Sequence, residues 1–131
     1  EVFFLRDNQL VFPVAAKEKL VKKADGWALD IYVFSPRPLD DLLIEPNMPK
    51  LTLVVKAKEC QLAINDKAYV AASQNRHEAT YKELPLLQGW NKVSIKIGER
   101  DKNEFSGNFR CDNRNEFLSS LKVMFVNPEV K

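Results

Sequence analysis

The chain has almost none of the residues that most often carry catalysis or hold metals. His77 is its only histidine, and Cys60 and Cys111 are its only thiols, in 131 residues. One His and two Cys do not assemble a structural zinc site, which takes four such ligands. Two thiols are also too few for a disulfide scaffold. Alternation puts each on an apolar strand face, Cys60 with Leu62 and Ile64, Cys111 with Phe105 and Phe109. A bridge across the core and two small buried hydrophobes both suit that pattern. With only four glycines there is no phosphate-cradling loop, and no nucleophile motif is present. No apolar run approaches the roughly 20 residues of a membrane helix. An excess of one charge is missing too, since 20 basic and 18 acidic residues leave a net charge of +2. That near balance argues against a nucleic-acid groove, which gathers basic residues on one face. The densest basic run, Lys17, Lys19, Lys22 and Lys23, is diluted by Glu18 and Asp25 and reads as a solvated face.

What is present is strand after strand. A hydrophobic share of 45% and a charged share of 29% suit one globular domain. Trp27, Leu29, Ile31 and Val33 alternate with Asp30 and Tyr32, and Val93, Ile95 and Ile97 alternate with Lys92, Ser94 and Lys96. That period of two marks half-buried strands, and it places Trp27 in the core. Short runs at Val2–Leu5, Gln9–Val14, Leu51–Ala57, Gln61–Ile64, Ala68–Ala71, Glu104–Cys111 and Leu121–Val126 extend the pattern, with a further short strand at Leu42–Ile44. Asn65-Asp66 suits a tight hairpin turn, because both side chains tolerate positive φ. Ala15–Ala24 is the one segment where a short helix or a loop would fit. Eight or more strands with turn signals at roughly ten-residue spacing mean an antiparallel β-sandwich or barrel.

Three stretches resemble the galactose-binding-like jelly-roll domains attached to bacterial glycoside hydrolases. They are GWALDIYVFSP (Gly26–Pro36), LAINDKAYV (Leu62–Val70) and LLQGWNKVSIKI (Leu86–Ile97). The family's forms are a strand with an early tryptophan, an apolar-x-apolar-Asn-Gly-Lys hairpin, and a Leu-x-x-Gly-x-Asn lead into a strand. The resemblance runs from about Gly26 to Phe109, and Asp66 stands where the usual glycine would be. It implies an all-β jelly-roll sandwich that serves as a non-catalytic carbohydrate-binding accessory module. The parent would be a secreted, periplasmic or cell-surface bacterial polysaccharide-degrading enzyme. The implied partners are carbohydrate and the neighbouring catalytic domain of the same polypeptide, with neither nucleic acid nor membrane. Other members of that superfamily are plain spacers that pack beside a catalytic domain, so the fold alone leaves both roles open. A start at Glu1 rather than Met fits the expectation that residues 1–131 form a single terminal module of a longer chain.

The residues expected to bind sugar are Asn75, Arg76, Tyr81, Trp90 and Arg110. Planar polar side chains can satisfy hydroxyls that both donate and accept, and an indole or phenol can lie against the C–H face of a sugar ring. Asn75, Arg76 and Tyr81 come from the polar stretch SQNRHEATY, where His77 has no partner for catalysis nearby. Trp90 shares the outward side of its strand with Lys92 and Ser94, although Gly89-Trp90-Asn91 also reads as a turn that covers a sheet edge. Arg110 projects outward from its strand with Asn108. No cofactor is expected; Asp112, Asn113 and Asn115 offer oxygens to a structural calcium, but at no EF-hand spacing. The carboxylate pairs Asp40-Asp41 and Glu99 with Asp101 fall in charged loops, whereas paired glycosidase acids need a cleft and one desolvated member.

Overall fold

A computed structural model describes residues 2–40 and 48–128. The Leu42–Ile44 strand expectation lies outside the described residues. Twelve strands are described: β1 (Phe4–Arg6), β2 (Gln9–Val11), β3 (Val21–Lys23), β4 (Gly26–Ser35), β5 (Leu51–Lys56), β6 (Cys60–Ile64), β7 (Lys67–Tyr69), β8 (Ser73–Gln74), β9 (Ala79–Leu84), β10 (Gly89–Ile97), β11 (Ser106–Arg110) and β12 (Lys122–Met124). All pairings are antiparallel. Sheet I has the order β1-β2-β11-β5-β9-β8, and sheet II the order β12-β4-β10-β6-β7, with β3 also paired to β4. The chain alternates between the layers: β1 and β2 in sheet I, β3 and β4 in II, β5 in I, β6 and β7 in II, β8 and β9 in I, then β10, β11 and β12 in turn. The result is a two-sheet antiparallel sandwich.

The alternation in the sequence becomes the core. Leu29, Ile31, Val33, Val93 and Ile95 of sheet II face Leu53, Val55, Tyr81 and Phe109 of sheet I, all buried. The longest pairing joins β4 to β10 from Gly89 opposite Ser35 to Ile97 opposite Trp27. Both ends of the sandwich are tied by side-chain hubs. At the end holding Gly26 and Ile97, Asp101 accepts from the amides of Lys58, Glu59 and Gly98 at 2.9–3.1 Å. Asp101 therefore closes a turn. At the opposite end, Asn91 does comparable work from inside the protein.

Several expectations are corrected. Ala15–Ala24 divides into a 3-10 helix, Val14–Lys19, and strand β3. The polar stretch after Cys111 runs into a second six-residue 3-10 helix, Asn115–Ser120, that buries Phe117 and Leu118. Trp27 lies at the rim of the core and not inside it. Its Nε1 donates to Glu99 O at 3.1 Å, and Lys102 Nζ sits 4.1 Å from its ring centroid. Asn65 and Asp66 do take positive φ, 51° and 69°, as their hairpin requires. Asp7 and Asn8 repeat that conformation (φ 50° and 62°) between β1 and β2.

Both cysteines are free. Cys60 begins β6 in sheet II, paired with Ile97, whereas Cys111 follows β11 in sheet I, beyond the Arg110–Thr52 pair. They belong to opposite layers and opposite ends. Burial pushes the Cys60 thiol up to about 11, so it is protonated at neutral pH and is a poor nucleophile there.

Candidate functional site

The five residues expected to bind sugar do not converge. Tyr81 is a core residue: it is buried between Leu53 and its neighbours, and its hydroxyl donates to Cys60 O at 3.2 Å. Burial holds its phenol well above the ordinary value. Its ring is covered by protein and offers no face to a ligand. Asn75 spends its side-chain oxygen on its own turn, accepting from the amides of His77 and Glu78 at 2.7 and 2.9 Å. Arg76 is exposed on the same turn. That turn lies at the Lys58 end of the molecule, where Gln74 Nε2 donates to Lys58 O at 3.2 Å. Asn113 is likewise engaged: its Nδ2 donates to Met48 O at 2.7 Å and its Oδ1 accepts from Lys50 N at 3.1 Å. Among the described residues there is no group of three His, Cys, Asp or Glu able to hold a metal.

Trp90 and Arg110 stand on opposite outer faces of the sandwich. Trp90 pairs across sheet II with Phe34, their rings edge-to-face at 5.4 Å. Lys122 Nζ lies 5.7 Å from the Phe34 ring, and Met124, paired with Tyr32, is 40% exposed. This side of sheet II is an aromatic strip edged by lysine.

The neighbouring end of the sandwich is organised by Asn91, which is 1% exposed. Its Oδ1 accepts from Leu87 N at 2.8 Å and Asn65 Nδ2 at 2.9 Å. Its Nδ2 donates to Leu87 O, Gly89 O and Val33 O at 2.9, 3.1 and 3.3 Å. Asn65 Oδ1 in turn accepts from Lys92 N at 2.9 Å. The Leu-x-x-Gly-x-Asn motif thus has a structural purpose, with the asparagine fastening the loop before β10 to the β6–β7 hairpin. Beside this network is a pocket of about 350 Å³ floored by the Leu39–Leu86 bridge and walled by Ile64, Pro85 and Tyr69. Its walls are largely apolar, and the side-chain amide of Asn65 and the backbone amide of Leu87 are already used by Asn91 and Lys92.

The outer face of sheet I differs in chemistry. Registers place Arg6, Gln9, Arg110 and Thr52 in one row across four strands, and Phe4, Val11, Asn108, Val54 and Thr80 in the next. Thr52, Val54 and Thr80 form a nearly covered floor, while Phe4 at the edge is 43% exposed. Asn108 and Arg110 sit on the same side of β11, about 7 Å apart along the strand. Asn108 Oδ1 and Arg110 Nε are both buried and have no hydrogen-bond partner among the described residues. Asp112 Oδ1 stands 4.0 Å from Arg110 Nε, near enough for charge attraction and too far for a hydrogen bond. Buried polar atoms are nearly always bonded, so an unmet acceptor beside an unmet donor is a feature that needs a cause.

No protein-family profile, no curated protein and no solved structure matches the chain. The choice between surfaces therefore rests on chemistry alone. Sheet I offers an exposed ring, planar polar groups and two unmet hydrogen-bonding atoms, whereas sheet II offers rings and apolar surface. Arg110 was legible as an outward residue from alternation with Phe109 and Cys111. The part played by Phe4, Gln9 and Thr52 was not, because their adjacency is set by pairing between strands far apart in sequence.

Proposed function

We propose that this domain binds carbohydrate on the outer face of sheet I and has no catalysis of its own. The observation that carries the reading is the pair Asn108 Oδ1 and Arg110 Nε, an acceptor and a donor left unmet on the same side of β11. Both atoms are closed to solvent, so a sugar reaches them once the partly exposed Arg110 side chain turns aside. Hydroxyls, which donate and accept at once, can then answer both. Gln9 and Thr52 flank Arg110 with further donors and acceptors, and Phe4 supplies an exposed ring at the sheet edge for a sugar's C–H face. The alternation of the chain between two antiparallel sheets supports the finer fold reading, a galactose-binding-like jelly roll. A face of this kind is shallow and wet, which leaves little surplus after association costs, so binding is weak for the isolated domain. Attachment to a catalytic domain acting on the same polysaccharide, at the cell surface or outside it, would make weak binding useful through effective concentration.

A second reading has its own observation. The strip of Trp90, Phe34, Tyr32 and Met124 on sheet II suits packing against a neighbouring domain, as a structural spacer would. The two readings use opposite faces and separate cleanly. Affinity electrophoresis against a panel of plant, microbial and host polysaccharides tests the first. At least one glycan is expected to retard the protein, and Arg110→Ala and Asn108→Ala are expected to weaken that retardation about tenfold, the effect of one lost charge-assisted bond. Trp90→Ala is expected to leave it unchanged. Silence across the panel would favour the spacer.

A further inference from the structure

The outward positions of sheet I carry four cations against one carboxylate, Glu83, which sits beside Lys82 at the register shift of β9 and pairs with Lys50 at 3.7 Å. Arg6 on β1, Lys56 on β5, Lys82 on β9 and Arg110 on β11 all fall on this side by alternation and register. The other outward residues there are Phe4, Gln9, Val11, Thr52, Val54, Ser73, Thr80, Ser106 and Asn108, all uncharged. Two further acids lie at the margins: Asp7 is 3.9 Å from Arg6, and Asp112 4.0 Å from Arg110. Neither pair reaches hydrogen-bond distance, so both guanidinium forks keep their donors. Lys56 and Lys82 make no ion pair among the described residues. Sheet II is managed differently. Its outward Lys92 and Lys96 are each held by an aspartate, Asp66 at 3.0 Å and Asp25 at 2.9 Å.

We infer that the ligand of sheet I is an acidic polysaccharide, one that carries uronate carboxylates, lying across the strands along the Arg6–Gln9–Arg110–Thr52 row. The inference rests on the carbohydrate reading above and adds the charge of the ligand. Arg6 and Arg110 are separated by one intervening strand, about 10 Å at the usual strand spacing. Lys82 lies beyond Arg110 on β9, two strands away by the sheet order. A polymer with a carboxylate on its repeating units meets such a row of cations several times, whereas a neutral chain offers them hydroxyl oxygens but no countercharge. Arginine suits this task because its planar fork matches a carboxylate with two parallel hydrogen bonds. The polar groups between the cations, Gln9, Asn108 and Thr52, then serve the hydroxyls.

The test is affinity electrophoresis of the whole chain in gels holding polygalacturonate, alginate, fully methyl-esterified polygalacturonate, neutral hydroxyethylcellulose, dextran sulfate or duplex DNA. Retardation is expected with at least one uronate polymer. It should fall about tenfold or more when the carboxylates are esterified, and weaken as salt is raised. The double variant R6Q/K82Q alters only exposed side chains and is expected to weaken uronate binding about tenfold with an unchanged melting temperature. K92Q/K96Q on sheet II is expected to have no effect. Equal retardation by the esterified or neutral polymers would overturn the acidic specificity and leave the carbohydrate reading standing. Retardation by dextran sulfate or DNA as strong as by any uronate would overturn it in favour of a general polyanion surface. Silence with every glycan would defeat both the inference and the reading beneath it.

Discussion

Replacing Asn91 with alanine is expected to lower stability by about 4 kcal/mol and the melting temperature by more than about 10 °C. The side chain serves five partners from a position closed to water. Alanine leaves the Leu87 amide and the Asn65 Nδ2 without an acceptor, and the carbonyls of Leu87, Gly89 and Val33 short of a donor. Each buried group so abandoned costs about 1–3 kcal/mol, and partial access of water to the loop relieves some of them. Asn91→Asp is a sharper version of the same test. The shape is kept, but an oxygen replaces the Nδ2 donor opposite three carbonyls, and a charge is buried without a counterion. It is expected to destabilise at least as much as alanine. Asn65→Ala should cost less, because Asn65 is exposed and water can replace its bonds. Urea unfolding of the three variants measures all of this. Asn91→Asp behaving like wild type would show that the network contributes little.

Gly26→Ala is expected to be nearly as damaging, about 3–5 kcal/mol. Gly26 begins β4 where the chain approaches the end of β10, and a Cβ there would overlap the carbonyl oxygen of Ile97. The obstacle is backbone, and the Trp27–Ile97 pair next to it anchors the longest pairing in the protein. Relief therefore requires prising β4 from β10 at that end, which disturbs the Trp27 indole and its bond to Glu99. Gly107→Ala provides a contrast. Its Cβ would meet the Phe12 ring at 2.9–3.1 Å, a side chain that can shift by a few tenths of an ångström. Chemical denaturation should rank Gly26→Ala clearly above Gly107→Ala. The reverse order would mean that the β4–β10 end yields more easily than the packing of Phe12.

The sandwich was legible in the sequence wherever one strand face is dry and the other wet. β4 and β10 announce themselves by Leu29-Ile31-Val33 and Val93-Ile95-Ile97, and the Asn65-Asp66 turn by its tolerance of positive φ. Legibility fails where the period breaks. Tyr81 reads as the end of a polar loop because Gln74 to Glu78 is polar, yet Ala79 and Tyr81 already alternate inward on β9. A register shift between Leu51 and Leu53, with Glu83 at φ 54°, then disturbs the pattern that would have revealed it. The 3-10 helix Asn115–Ser120 is too short to show a helical stripe. The candidate site was half legible for another reason. Alternation shows that Trp90 and Arg110 both point outward, but only the pairing of β11 with β2 and β5 shows that they point away from each other. Phe4, from a strand at the far N-terminal edge, reaches the Arg110 side through β1–β2–β11 pairing, which no local pattern encodes.

The division of labour between the two faces is the central claim, and a titration followed by amide chemical shifts tests it most directly. The ligand is the glycan that most retards the protein in electrophoresis. The shifts are expected to cluster at Gln9, Val11, Thr52, Val54, Asn108 and Arg110 on sheet I, with Trp90 and Phe34 unmoved. Shifts centred on Trp90 and Phe34, or on the pocket beside Tyr69, would contradict the assignment of the binding face to sheet I.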